Sequence, residues 1–126
     1  MYSGNERSAL VGKAGEDFVV QYLKSKGYII IKRNWRDSRF GELDIVAENK
    51  ECIAFVEVKT RQKNSIVSGV EAVDIAKQQR TKNAANTFMR RLRTKLPPRI
   101  DVAEVTIVEE KGNDFVFEIN YIKNAF

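Results

Sequence analysis

The 126-residue chain predicts an α/β sandwich: one helix, three strands, a second helix and two more strands around a mixed five-stranded sheet. Three observations carry that prediction. Two stretches, one ending at Gly27 and one at Pro97-Pro98, repeat apolar residues with helical spacing. Between and after them lie β-branched runs that alternate or are apolar on both faces. Short polar clusters separate the runs, so neighbouring strands fold back as hairpins. A chain of this length forms one domain, residues 1–126, and buries about two thirds of its unfolded surface.

Residues 1–7 are polar and read as a mobile lead-in. The first helix is expected from Arg7 or Ser8 to Lys26, its apolar stripe built from Leu10, Ala14, Phe18 and Tyr22 with Val11, Val19 and Leu23. Gly27 followed by Tyr28 is a Schellman-type stop. Tyr28 to Arg36 reads as the first strand, with Trp35 as a rim or core aromatic. Gly41–Ala47 and Ile53–Arg61 flank a polar turn, Glu48–Glu51, and form a hairpin whose second strand is apolar on both faces and therefore central. Residues 61–69 read as a mobile basic loop suited to touching phosphates. Val70 to about Lys95 reads as the second helix, ended by Pro97-Pro98. Arg99–Glu109 and Phe115–Ile122 are the last two strands, joined by a turn at Lys111–Asp114.

Composition narrows the chemistry. The chain has no histidine, which excludes Ser-His-Asp and Cys-His catalysis and the usual zinc sites. Its single cysteine, Cys52, allows no intrachain disulfide and fits a reducing cytoplasm. There is no apolar signal core and no apolar run long enough to span a membrane. The net charge is +5, unevenly spread: from Lys77 to Arg99 there are eight basic residues and no acidic one. Lys77, Arg80, Lys82, Arg90, Arg91 and Arg93, with Arg61 and Lys63 of the preceding loop, form a candidate nucleic-acid surface. A solvated helix face is the plainer reading. Membrane-surface binding fits less well, since the apolar residues here are mostly alanines.

Acidic residues inside the hairpin strands need a reason to be there, because a buried carboxylate is costly unless compensated. Residues i and i+2 of a strand share a face, so Glu57 goes with Lys59 and Glu42 with Asp44. A turn centred between Asn49 and Lys50 would pair Asp44 with Phe55 and Glu42 with Glu57, leaving Asp44 diagonal to Glu57 at about 7–8 Å. A one-residue change of turn would send Asp44 to the other face. Two carboxylates at that span suit a hard cation such as Mg²⁺, and Lys59 could act on an attacking water. The competing reading is a surface Lys59–Glu57 pair with Asp44 at a strand end. Glu16, at the margin of the first helix's stripe, could reach a site between helix and sheet or pair with Lys13 or Lys24. Gln78 or Lys77 could lean toward the carboxylates from the second helix.

The series Gly12-x-x-Gly15-Glu16, Gly41-Glu42-Leu43-Asp44-Ile45-Val46-Ala47, Phe55-Val56-Glu57-Val58-Lys59-Thr60-Arg61, Lys77-Gln78 and Arg99-Ile100-Asp101-Val102 resembles the YraN-type proteins. These belong to the PD-(D/E)XK nuclease superfamily and are close to archaeal Holliday-junction resolvases. The resemblance implies a restriction-endonuclease-like core of order αβββαββ. It implies that Asp44 and Glu57 ligate Mg²⁺ or Mn²⁺, with the Val58 carbonyl completing the site, Glu16 as a further ligand or site acid, and Lys59 acting on the water. Gln78 becomes a secondary site candidate, Asp101 a structural residue, and Glu42 a residue near the site. The implied activity is metal-dependent hydrolysis of DNA phosphodiesters, with branched or flapped DNA as candidate substrates, and the analogy with twofold resolvases implies a homodimer. The alternative is a non-catalytic nucleic-acid-binding or adaptor protein on the same fold. Hydrolysis of a small phosphate or glycoside is a weaker third reading, since it leaves the basic stretch unused.

Overall fold

Helical apolar spacing near the start of the chain produces α1 (Gly4–Ser25), which buries Val19, Val20 and Leu23. The computed structural model describes residues 4–39, 41–62 and 75–126. Residues 4–7, expected to be a lead-in, form the first turn of α1. Arg7 is anchored there by Glu110 at 2.5 Å and lies over the Phe115 ring. The helix stops as its sequence predicts. Gly27 adopts φ +90°, its amide donates to the Lys24 carbonyl, and the Tyr28 amide donates to the Leu23 carbonyl.

Three antiparallel strands follow, β1 (Ile29–Asp37), β2 (Gly41–Glu48) and β3 (Ile53–Gln62). Helix α2 (Ile75–Leu92) then carries the chain to β4 (Pro98–Lys111), which runs parallel to β3. A turn with Gly112 at φ +60° returns it as β5 (Asp114–Ile122), antiparallel to β4. The sheet order β1-β2-β3-β4-β5 puts β3 at the centre. That position suits a strand whose first five residues are all buried. The result is the α/β sandwich with a mixed five-stranded sheet, order αβββαββ, consistent with a restriction-endonuclease-like fold.

The sheet has a core on each face. On one, α1 packs Val19 and Leu23 against Ile45, Val56 and Val105, and Phe18 and Tyr22 meet Phe117 and Tyr121 of β5. On the other, α2 packs Ala84, Ala85 and Phe88 against Val46, Phe55 and Ile100. Trp35 meets Phe88 edge-on at 5.5 Å and is a core-rim residue. Cys52 is buried beside β3. Among the described residues, no helix is long and apolar enough to cross a membrane.

Three expectations are corrected. The β2–β3 ladder pairs Ile45 with Val56 and Val46 with Phe55, so the partner of each residue lies two positions later than expected. The cause is the turn: the Asn49 side chain accepts from the amides of Glu51 and Cys52, and the Asn49 amide donates to the Cys52 carbonyl. That centres the turn between Lys50 and Glu51. Helix α2 ends at Leu92, before the prolines, with Arg93 in the left-handed region at φ +53°. Pro98 instead begins β4. Arg99, counted in the basic run, is no surface cation: its guanidinium grips the fully buried Asp101 through two bonds of 2.7 and 2.8 Å and donates to the Tyr28 hydroxyl at 2.6 Å. Residues 63–74, which hold Lys63, Val73, most of the expected basic loop and the expected start of the second helix, lie outside the described residues.

Candidate active site

A two-residue change of register is an even number, so it preserves the face of every side chain. Continued by one residue, the observed register sets Asp44 opposite Glu57 instead of diagonal to it. The paired ladder itself stops at Ile45. Beyond it, Asp44 Oδ2 accepts a bond from the Val58 amide at 2.9 Å, so the carboxylate caps an amide that has lost its place in the ladder.

A second irregularity lies on the other side of β2. The β1–β2 ladder pairs Arg33 with Ile45 and Trp35 with Leu43 and skips Asn34 and Asp44 between them. Asn34 has φ +51°. In consequence Arg33 and Ile45 face α1, whereas Trp35 and Leu43 pack in the cluster under α2. Asp44 sits at this change of face, where a strand irregularity re-aims a side chain.

Glu57 is 5% exposed, and its Oε1 lies 3.4 Å from both Lys59 Nζ and Lys77 Nζ. The strand supplies the first lysine and the first turn of α2 the second. Burial is the main reason that the Asp44 carboxyl is pushed up to about 7, with the Glu57 charge next. The Val58 amide and Lys77 oppose the shift, and Glu16 adds to it. A buried and a half-buried carboxylate with repulsion left between them form a donor set that suits a hard divalent cation, which needs only one or two protein carboxylates.

Glu16 lines a cavity of about 530 Å³ with Asp44, Lys59, Arg61, Arg7 and Gly12. Its Oε1 accepts from Arg33 Nε and Asn34 Nδ2, each at 3.0 Å. Neither Lys13 nor Lys24 is its partner, and Lys13 pairs with Asp17. Among the described residues, no three carboxylate, imidazole or thiol groups converge on one point, so Glu16 is not drawn in beside Asp44 and Glu57. Sequence reasoning missed Arg33 and Asn34 as its holders; asparagine's tolerance of positive φ is the one signal that could have found them. It also missed Thr60: a Cβ on Gly15 would stand 2.3 Å from Thr60 Oγ1, so glycine lets α1 lie directly on β3 beside Glu16.

The remaining candidates lie further out. Arg61 lines the cavity but forms an ion pair with Glu104, and its Nη1 is buried without a hydrogen-bond partner among the described residues. Gln78 is half-buried in the first turn of α2. Glu42 is exposed and pairs with Arg36 at 3.2 Å. Arg80, Lys82, Arg90 and Arg93 are exposed, and Arg91 lies over the Trp35 ring. Asp101 is structural: besides Arg99 it accepts from the Tyr121 hydroxyl and the Asn124 amide.

Comparison with known proteins gives the family. A family described as "Uncharacterised protein family UPF0102" matches residues 15–105, a span that holds Glu16, Asp44, Glu57, Lys59 and Gln78. A UPF0102 protein of Bacteroides thetaiotaomicron is 44% identical over 116 residues, covering 92% of this chain and 91% of the relative. One from Acetivibrio thermocellus is 43% identical over 124 residues, covering 97% and 93%. One from Dictyoglomus turgidum is 38% identical over 117 residues, covering 92% and 96%.

Proposed function

Because the chain belongs to the UPF0102 (YraN-type) family, a PD-(D/E)XK nuclease-like family, we propose that it is a metal-dependent DNA endonuclease. The observation that carries this reading is the pair of half-buried Asp44 and buried Glu57, with Lys59 and Lys77 on the second carboxylate, at the point where β2 and β3 part. Asp44 and Glu57 would hold Mg²⁺ or Mn²⁺. The bound ion would supply a more acidic water and positive charge at the phosphoryl oxygens.

The chain's own groups do the rest. The Val58 amide fixes the Asp44 carboxylate, and Gly15 lets α1 bring Glu16 to the cavity wall. Lys59 orients the attacking water and steadies the hydroxide left when its proton passes to solvent. Lys77 counters the charge gathering on the phosphate, and Glu16 serves as an outer acid that orients water. Gln78, on the first turn of α2, is a secondary candidate. Arg80, Lys82, Arg90 and Arg93, with Arg91 and the Arg61–Lys63 segment, hold the phosphate backbone without reading sequence.

The test is cleavage of branched, flapped and linear DNA with Mg²⁺ or Mn²⁺. Asp44→Ala and Glu57→Ala should each abolish cutting, and Lys59→Ala should slow it by about 10²–10⁴-fold. Cutting that survives both carboxylate changes would remove the proposed site. A second reading, a non-catalytic DNA-binding or adaptor protein, is favoured by one observation: Glu57 and Glu16 already have cationic partners. Calorimetry separates the two, since DNA binding without Mg²⁺ or Mn²⁺ uptake supports the adaptor.

A further inference from the structure

A second cavity, about 540 Å³ and almost equal in volume to the first, opens where α1 ends beside the β2–β3 turn. Its lining differs from that of the first, which sets Glu16 and Asp44 beside Arg7, Lys59 and Arg61. No acid pair lines it; Lys26, Lys50 and Lys123 do, against the single carboxylate of Glu51. These lysines come from three separated parts of the chain, and none forms an ion pair with a carboxylate among the described residues. Lys26 instead lies over the Tyr22 ring at 5.6 Å.

The wall behind them is rigid. The Tyr28 hydroxyl is held by Arg99 and the Tyr121 hydroxyl by Asp101, so both rings are fixed from the buried side. Tyr22 packs on Tyr121 at 5.4 Å, and its own hydroxyl has no hydrogen-bond partner among the described residues. Three ammonium groups and a phenol donor around one concavity match an oxyanion with several acceptors. The volume lies within the range of small-ligand sites.

We propose that this cavity binds a phosphate group, carried either by a free mononucleotide or by a nucleic-acid strand. Tyr22 stands six positions after Glu16 on α1, about 9 Å of helix rise, so both cavities open along one helix. Phosphate binding here requires no divalent cation and no cleavage, and is therefore independent of any nuclease activity of the chain.

The experiment is a metal-free NMR titration of the full chain with thymidine 5′-monophosphate and, separately, with a ten-residue oligothymidylate. Both are run on wild type and on Lys50→Ala/Lys123→Ala. Saturable shifts of the Gly27, Lys50, Glu51 and Lys123 amides are expected, weakened by about tenfold or more in the double variant; for its altered residues the wild-type signals serve as reference. Shifts with both ligands identify a mononucleotide site, and shifts with the oligonucleotide alone identify a backbone-phosphate contact. If neither ligand moves these amides, or if the double variant binds as wild type does, the proposal is overturned. Unchanged thermal unfolding of the double variant separates lost binding from lost fold.

Discussion

Asp44 concentrates the conflict within the candidate site, and its titration gives a testable sign. In the folded, metal-free chain its carboxyl stays protonated up to about 7, against 3.8 in the absence of these surroundings. Its contribution to stability is therefore full below about 3.8 and is lost as pH rises through about 7. Thermal unfolding in chelator should show wild type losing stability across that window and Asp44→Asn losing less. The mechanism fails if the two profiles are parallel. Asp101 is the contrasting acid, fully buried and satisfied by Arg99, Tyr121 and the Asn124 amide. Asp101→Ala leaves the Arg99 guanidinium buried without its carboxylate. The expected cost is about 3–5 kcal/mol in urea unfolding. Asp44 is legible in the sequence as an acid out of place in an apolar strand, and Asp101 through the family resemblance. The holders of Glu16 are not, because Arg33 reaches it only through a change of face that depends on a single left-handed residue, Asn34.

At the scale of elements, the contact between α1 and β3 is set by the smallest side chain available. Gly15→Ala would drive a methyl against Thr60 Oγ1, with Thr60 Cβ also close at 3.3 Å. The expected loss is about 1–3 kcal/mol, and adding Thr60→Ala should recover part of it. Absence of recovery in the double variant would mean that the cost arises elsewhere. The hairpin shows why element order is easier to read than register. Alternation and β-branching mark both strands, but the pairing depends on where the chain reverses. That point is set by the Asn49 side chain capping two amides, which moves the turn centre by one residue. The resulting offset of two spares the faces, so Asp44 and Glu57 still converge although their spacing differs from the expected one. Likewise the prolines mark the end of a helical region correctly but not the helix terminus, because Arg93 adopts the left-handed backbone on its own.

Over the whole molecule the cations fall into two groups. Most arginines and lysines near the sheet have an acidic partner, including Arg7, Arg33, Arg61 and Arg99. The solvent side of α2 keeps Arg80, Lys82 and Arg90 exposed. Replacing these three with alanine should weaken DNA binding on all sequences alike. It should also reduce the slope of log affinity against log salt by about 0.9 for each phosphate that is no longer neutralised. An unchanged slope would exclude this face as the DNA surface.

The order of pairing along the sheet also bears on how the molecule assembles. β1, β2 and β3 can zip together from neighbouring segments, as can β4 with β5, whereas the seam between β3 and β4 must wait for the long crossover through α2. A refolding chain would thus bring Asp44 to Glu57 early, while Lys77 would arrive only when that seam closes. For that interval two acids would face each other without the second lysine, which makes the central seam the natural slow step of folding.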